Sequence, residues 1–484
     1  MSSFPVAWQT WDAGRALATT SQRPLLVLSG PGGCPVRAAW LVHVASDRLA
    51  ASFVNSHVVP VLLDRWRHPA QDAIAMDVCY RCTNAGGWPV LSTWMPDGRP
   101  TSATSDLPAD PEELVRLIQA LSGAWRTERG AFEEAASALA SDLAPNLVDP
   151  HHQVKPDAHY AVRTIVAALS AQDMAGHPHL PALDLLATAA ALGNVGAGTR
   201  LDAVLDAVVD GLVSKADGSV ARCSDGQGFD RPRADRAPWA GASLLRLLAR
   251  RPTPSRLRPA RQIAAWLLSL RNDAGAWTRP GAHATNGFLT GWIAACLAEA
   301  GRLHEEAVWV EAAAAALRSL GPVEGPVDRE PGTPGVLADT AAVAVAALAL
   351  HAALPETPAW LALAHRCVEV ATAAFVPNGI PVMTTGRNDV PWHRADLLDD
   401  EVPSGASLLT LANQGLAAHG LGVPLDLFDF AGSEMNLRPV GTAGLWVAFL
   451  EKATLTTFID DVSGRVARRA WDHQWRPGAQ LRTG

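Results

Sequence analysis

Hydrophobic positions change character near residue 150. Before it, short apolar runs bounded by Gly and Pro alternate with stretches of helical spacing; after it, helical spacing continues almost without a break. In the first part "PLLVLSG" (24–30) is a continuous apolar run that ends in the Gly-rich "PGGCPVR", and "AAWLVHVASDRLAASFVNS" follows with the periodicity of one helix. A second strand, "VVPVLLD" (58–64), precedes an irregular helical stretch to about Tyr80. In "GGWPVLSTWMPDGRP" (86–100) a strand runs into a Pro-Asp-Gly turn of the kind that closes hairpins. A helix over 110–122 opens with Asp110 as cap, Pro111 at its first position and acids in its first turn. Strand, helix, strand, helix, hairpin, helix is the order of a thioredoxin-like domain. Residues 1–122 are therefore expected to form one, with 123–155 as a helical linker.

From 156 onward helical segments repeat, at 157–172, 181–192, 199–214, 239–250, 257–271, 287–301, 303–320, 335–354, 356–375 and 404–420. Their spacing suggests paired helices. The loops at 216–230, 272–287 and 377–405 share a form, each starting with an Asp/Asn-Gly type turn and ending where a small-residue helix begins. Helical hairpins of this kind close most economically as an α/α toroid, whose inner helices are rich in Ala and Gly because they crowd the axis. The expected fold is thus multidomain, an α/β thioredoxin-like domain followed by an all-α toroid over 156–484, with the long loops ringing one mouth where a ligand site belongs.

Composition narrows the function. The 484 residues suit two units at roughly 150 or more residues per domain. A net charge of −8, from 48 acidic and 40 basic residues with no basic block, argues against nucleic acid as a partner. Apolar stretches such as 341–354 contain His351 or are bordered by Asp339 and Pro355, and are too short for a membrane span. "MSSFPVAWQTWDAGRALATT" lacks the charged start and apolar core of a secretory signal, so a cytoplasmic location is the expectation. Six cysteines (34, 79, 82, 223, 296, 367) in so long a chain do not make a disulfide framework, and no cofactor or resident metal is implied.

Several segments resemble the spermatogenesis-associated protein 20-like family, which joins a thioredoxin-like domain to a six-hairpin glycosidase-like barrel. "WQTWDAGRALATTSQRPLLVLSG" resembles that family's opening, "VPVLLDR" sits where its Lys-Val-Asp-Arg strand would be, and "GGWPVLSTWMPDGRP" is similar to its Gly-Gly-Trp-Pro strand and Pro-Asp-Gly turn. Farther on, "LADTAAVAVAALALHAA" resembles its Asp-Tyr-Ala segment and "DLLDDEVPSGASLLTLANQG" its Pro-Ser-Gly-Asn-Ser helix start. The resemblance implies a carbohydrate-metabolism-type α/α barrel. Its His-Phe-Glu-Lys-Met-Leu segment is replaced by "ADRAPW" (234–239), and its Asp-Ala-Asp-Ser loop has no counterpart near 272–287, as in a degenerate active site.

Two sets of residues carry candidate chemistry. In the family the loop before the first helix carries Cys-His-Trp-Cys; here it reads Cys34-Pro35-Val36-Arg37, so the resolving thiol is missing. A thiolate at a helix N-terminus beside an arginine has a lowered pKa and some nucleophilicity, so Cys34 is a candidate monothiol; the alternative is a fossil that fills a loop. Cys79 and Cys82 have Cys-x-x-Cys spacing before Gly86-Gly87-Trp88-Pro89, and if Pro89 is the cis-proline opposite the active loop, three thiols could form a relay or an incomplete zinc site; coincidental spacing is the competing reading. In the helical part, polar groups gather at loop ends: His283 and Asn286 before Trp292, Asp339 at a helix start, and Trp392, His393, Asp396, Asp399, Asp400 and Glu401 before Ser404. Glycoside chemistry needs a proton donor and a second carboxylate, and sugar isomerisation a histidine-like base. His393, Asp399 and Glu401 are the catalytic candidates there, and His283, Asn286, Trp292, Asp339 and Trp392 the binding ones, although acids before helices are also ordinary caps. The leading expectation is a barrel that binds or modifies a saccharide-like small molecule, with dithiol exchange lost. A thiol-redox protein using Cys34 with Cys79 or Cys82, and a non-catalytic scaffold that takes a protein partner, are the alternatives.

Overall fold

The structure is a computed structural model and describes residues 5–143, 155–169, 176–226, 228–388 and 390–461. The chain forms two compact units, one of Met1–Leu147 with Arg279–Gly281 and Gly386–Arg394, the other of the remaining residues. Among the described residues, no helix is long and apolar enough to cross a membrane.

The first unit runs α1 (Trp11–Ser21), β1 (Leu25–Gly30), α2 (Pro35–His43), α3 (Arg48–His57), β2 (Val59–Asp64), α4 (Pro69–Thr83), β3 (Val90–Trp94), β4 (Pro100–Thr104), α5 (Pro111–Thr127), α6 (Arg129–Leu143). The sheet order is β2-β1-β3-β4, with β1 parallel to β2 and the other pairs antiparallel. That is a thioredoxin-like sheet. All six residues of β1 are buried because the strand is central and covered on both faces, which is why its sequence reads as a continuous apolar run. Alternate side chains feed two cores. Leu25 and Val27 pack with Trp11, Ile74 and Trp94, while Leu26 and Leu28 pack with Trp40, Val54 and Ile118.

One expected helix is two. The apolar spacing of "AAWLVHVASDRLAASFVNS" breaks after α2, where the Asp47 carboxylate accepts from Leu49 N and Ala50 N, both at 2.9 Å, and starts α3. A side chain that satisfies two free N–H groups outcompetes the next turn of helix there. At α5, Asp110 accepts from Glu113 N (2.8 Å) and Glu113 from Ala109 N (2.7 Å), a reciprocal cap.

The second unit contains α7 (Ala158–Ala168), α8 (Leu180–Ala191), α9 (Val195–Leu212), α10 (Pro238–Arg250), α11 (Pro254–Ser269), α12 (Gly287–His304), α13 (Ala307–Ser319), α14 (Leu337–Ala353), α15 (Ala359–Phe375), α16 (Gly405–Ala417), α17 (Phe428–Leu437) and α18 (Ala443–Asp461). α17 and α18 were not anticipated by the periodicity. The even-numbered helices pack in sequence, α8 on α10, α10 on α12, α12 on α14, α14 on α16, α16 on α18, and α18 packs back on α8. α9, α11, α13, α15 and α17 each lie against an even neighbour, on α8, α10, α12, α14 and α18 respectively. Even helices such as α12 and α14 are buried on nearly every side, so they are apolar all round rather than amphipathic.

Small residues let these helices approach. A Cβ added at Gly291 on α12 would lie 2.8 Å from Val343 N and 2.9 Å from Ala342 C on α14, both backbone atoms that cannot swing aside. Gly291→Ala is therefore expected to push two helix backbones apart and cost about 1–3 kcal/mol. A urea melt followed by far-UV circular dichroism checks this; an unchanged midpoint for the helical signal would contradict the close approach.

Candidate functional site

In the first unit, β1 ends at Gly30 and the chain turns through Pro31, Gly32 and Gly33 to Cys34, the residue that precedes α2. Cys34 is only 3% exposed. Arg37, one turn into α2 where the resolving thiol would stand, is also buried, and its Nη1 donates to Gly30 O (2.9 Å) and Leu63 O (3.1 Å). The guanidinium thus ties the ends of β1 and β2 together. The Trp88–Pro89 bond is cis. Trp88 Nε1 donates to the buried Asp72 carboxylate at 3.1 Å, and the Arg65 guanidinium lies 4.0 Å from the centre of the Trp88 ring.

The other two thiols of that unit sit in the last turns of α4, not at a helix N-terminus. Cys79 is buried and donates to Ala85 O at 3.4 Å, whereas Cys82 is exposed. Among the described residues no three His, Cys, Asp or Glu side chains come together as a metal would need, so the three-thiol zinc idea has no geometry behind it. Trp392 and His393 also belong to the first unit: Trp392 is buried in the core beside Trp11 and Trp94, and His393 is exposed.

In the second unit most of the singled-out polar residues start helices. Asn286 is fully buried and its Oδ1 accepts from Leu289 N (3.0 Å), capping α12, while His283 on the preceding loop is exposed. Asp339, also fully buried, accepts from Val336 N (2.6 Å) and is ion-paired with Arg329 at 2.9 Å. Burial raises its pKa, and Arg329 and the backbone N–H groups oppose that. Asp396 accepts from Gly405 N at 3.0 Å. Asp399 accepts from Ser404 N (2.7 Å), Ser407 Oγ (2.9 Å) and Gly444 N (2.6 Å), joining the starts of α16 and α18. Burial pushes the Asp399 carboxyl up to about 6 against those hydrogen bonds.

Glu401 is different. Its carboxylate accepts from the side chains Arg222 Nε and Trp239 Nε1, each at 2.6 Å. Trp239 stands in the first turn of α10. Near this group lies His177. Ser224 N donates to Gly176 O at 2.9 Å, which pins the residue before His177 to the Arg222 segment. A Cβ at Gly176 would fall 2.3 Å from Ser224 O, so the approach needs glycine. His177 and His179 keep exposed surface, yet burial lowers both pKa values; Arg222 lowers that of His177 further, while Glu401 and Asp400 raise it.

Below Trp239 the same face of α10 carries Ser243, Arg246 and Arg250, at helical spacing. Ser243 Oγ accepts from Trp292 Nε1 at 3.0 Å. Arg246 pairs with Glu299 (2.7 Å) and Asp184 (3.2 Å), and Arg250 pairs with the same two carboxylates, at 2.6 Å each. The two guanidiniums hold Glu299 down at about 2 although burial opposes ionisation. A small pocket opens beside them, walled by Leu180, Leu247, Trp292 and Pro403 and edged by Asp184 and Arg246.

The family model Thioredox_DsbH, described as "Protein of unknown function, DUF255", matches residues 1–144, the stretch that carries the thioredoxin-like sheet. A search of curated proteins finds no match. Among solved structures, an inactive variant of an alpha-1,6-mannanase from Salegentibacter sp. HEL1_6, in complex with alpha-1,6-mannotriose, is similar at 12% identity and a TM-score of 0.36, over 56% of this chain and 82% of that one. A likeness at that score is too distant to transfer a site.

Two outcomes follow from this geometry. Of the six cysteines, Cys82 alone is exposed, so a thiol probe such as Ellman's reagent is expected to label about one thiol rapidly in the native chain and all six after denaturation; rapid native labelling of Cys34 would contradict its burial. For Glu299, a folded value of about 2 lies below the ordinary 4.5, so its contribution is complete above pH 4.5 and is lost as pH falls toward 2. Glu299→Ala is expected to cost about 3–5 kcal/mol at neutral pH by stranding two buried arginines, read from urea unfolding of the helical signal.

Proposed function

We propose that the second unit is an α/α toroid of the six-hairpin glycosidase-like kind, and that it binds a saccharide-like small molecule beside Glu401. The thioredoxin-like unit has, in this reading, given up dithiol exchange and serves structurally. What supports the toroid is the packing order, in which the even helices follow one another and α18 meets α8. The spermatogenesis-associated protein 20-like pattern in the sequence points the same way.

The observation that carries the binding reading is the Glu401 group. A carboxylate oriented by Arg222 and Trp239, with His177 and His179 exposed nearby, is a set of fixed donors and acceptors of the kind that hydroxyl groups need. Asp399, by contrast, spends its oxygens on the backbone N–H groups of Ser404 and Gly444 and on Ser407 Oγ at two helix starts, whereas Glu401 is held by side chains. Glu401 is therefore the carboxylate we assign to ligand, with Asp399 as the brace that holds its loop. Loss of dithiol exchange is supported by Arg37, whose guanidinium occupies the resolving position and is fastened to two backbone carbonyls.

A panel of mono- and disaccharides, followed by thermal shift and saturation-transfer NMR on the full chain, tests the reading. At least one sugar is expected to bind, and Glu401→Gln is expected to weaken it about tenfold or more, a loss of about 1.4 kcal/mol. No binding by any sugar would overturn it and leave a non-catalytic scaffold as the better account. In an insulin-reduction assay the chain and its Cys34→Ser variant are expected to be equally inactive; turnover that depends on Cys34 would restore the thiol-redox alternative.

A further inference from the structure

The loop that carries Cys34 is hemmed in on two sides. Gly30, at the end of β1, lies against the cis bond: a Cβ added there would sit 3.4 Å from Trp88 Cδ1 and 3.6 Å from Pro89 Cα. Gly32 meets the end of β2 and a more distant piece of chain. Its added Cβ would sit 2.6 Å from Asp64 Oδ2 and 3.6 Å from Pro280 O. Asp64 is itself fixed, because its Oδ1 accepts from Trp66 N at 2.9 Å. Its Oδ2 accepts from Arg279 Nη1 at 3.2 Å.

Arg279, Pro280 and Gly281 stand between α11 and α12 in the chain and yet belong to the first unit. Pro280 has a fixed φ, and Gly281 has φ +75°, a conformation that glycine adopts without strain, so the segment bends sharply after Arg279. The Arg279 and Asp64 side chains keep 21% and 17% of their surface open, so water and salt screen the pair less than an exposed one. Arg279 also bears on the start of α2. Burial lowers the pKa of Arg37, Asp64, Cys34 and Asp72 oppose that, and Arg279 adds to the lowering. Gly33 and Pro35, on either side of Cys34, are exposed, whereas Cys34 itself is 3% exposed. The backbone reaches the surface there, and the cover is specific to the thiol.

We propose that Arg279–Gly281 is a latch on the Cys34 loop: closed, it shuts the thiol in, and when the Arg279–Asp64 pair breaks, the loop is freed and Cys34 opens to solvent. This goes beyond the structural role assigned above to the first unit, because it gives the unit a thiol whose access is switched. The two sides of the loop differ in how firmly they are held. Trp88 is tied to the buried Asp72 at 3.1 Å and covered by the Arg65 guanidinium, so the cis-proline side stays put. On the other side Gly281 is exposed and Arg279 half-buried, so the segment can leave without disturbing a core. Arg37 keeps its own bonds to Gly30 O and Leu63 O in both states, and β1 and β2 stay joined.

A latch differs from general burial in one measurable way. A thiol behind a latch reacts through a local opening, whereas one in a core reacts only when the core itself opens. The first unit holds one of each, with a third thiol as reference. Cys79 is fully buried in the core with Ile74, Val78 and Trp94, and Cys82 is exposed.

Iodoacetamide labelling of the native full chain, quenched at intervals and read cysteine by cysteine by peptide mass spectrometry, tests the proposal. It compares the unaltered chain with Arg279→Ala and with Asp64→Asn, which removes the charge and keeps an oxygen for Trp66 N. In the unaltered chain Cys82 is expected to react first, Cys34 more slowly and Cys79 last. In both variants Cys34 is expected to react about fivefold or more faster while Cys79 keeps its rate. A Cys34 rate that is unchanged in either variant overturns the latch. A rise shared equally by Cys34 and Cys79 overturns it too, because the pair then holds the whole unit rather than the loop. Should Asp64→Asn fail to fold, Arg279→Ala decides.

Discussion

The second unit depends on two arginines buried among carboxylates. Arg246 and Arg250 bring charge into a helical interior where it is costly, and they are tolerated only because Asp184 and Glu299 reach them from two other helices. A guanidinium presents its donors in a fixed fork, so the match holds for one register of α8, α10 and α12 and fails for a slip of a turn. Apolar packing between Ala-rich helices does not discriminate registers so sharply. Here the charges supply that discrimination, and the small residues at contacts such as Gly291 allow the distance.

Above this layer, the helix starts follow a common rule. Asn286, Asp339, Asp396 and Asp399 all satisfy backbone N–H groups at or beside a helix N-terminus, where both the free donors and the helix dipole favour a carboxylate or amide oxygen. Carboxylates clustered at loop ends therefore do not by themselves make an acid–base pair. Glu401 stands apart because its partners are side chains, Arg222 and Trp239, from two other segments. The first unit also uses a buried arginine as a tie. There Arg37, one turn into α2, knits two strands of the thioredoxin-like sheet by donating to Gly30 O and Leu63 O.

Much of the fold was legible in the chain, for physical reasons that also explain what was not. β1 and β2 could be read because a central strand is apolar throughout, and α5 because Asp110, Pro111 and Glu113 spell its cap. α2 and α3 merged in the reading because apolar spacing runs through Asp47, and only the cap geometry separates them. α17 and α18 escaped because Gly and Pro punctuate "DLFDFAGSEMNLRPVGTAG" and hide the period. The pairing of Arg246 with Glu299 spans 53 residues, and no local pattern says which charge of "CLAEAGRLH" faces inward. Asp184 offered a better signal, a lone acid inside "LPALDLLATAA". The place of His177 next to Arg222 is made by the Gly176–Ser224 hydrogen bond, which the sequence does not display.

The account turns on Glu299 held ionised in a helical interior by two buried guanidiniums. Selective carbon-13 labelling of glutamate carboxyls and an NMR pH titration of the full chain measure this directly. Glu299 is predicted to stay ionised down to about 2. A Glu299 that titrates near the 4.5 of an unperturbed glutamate would mean that the arginines do not hold it and would contradict the account.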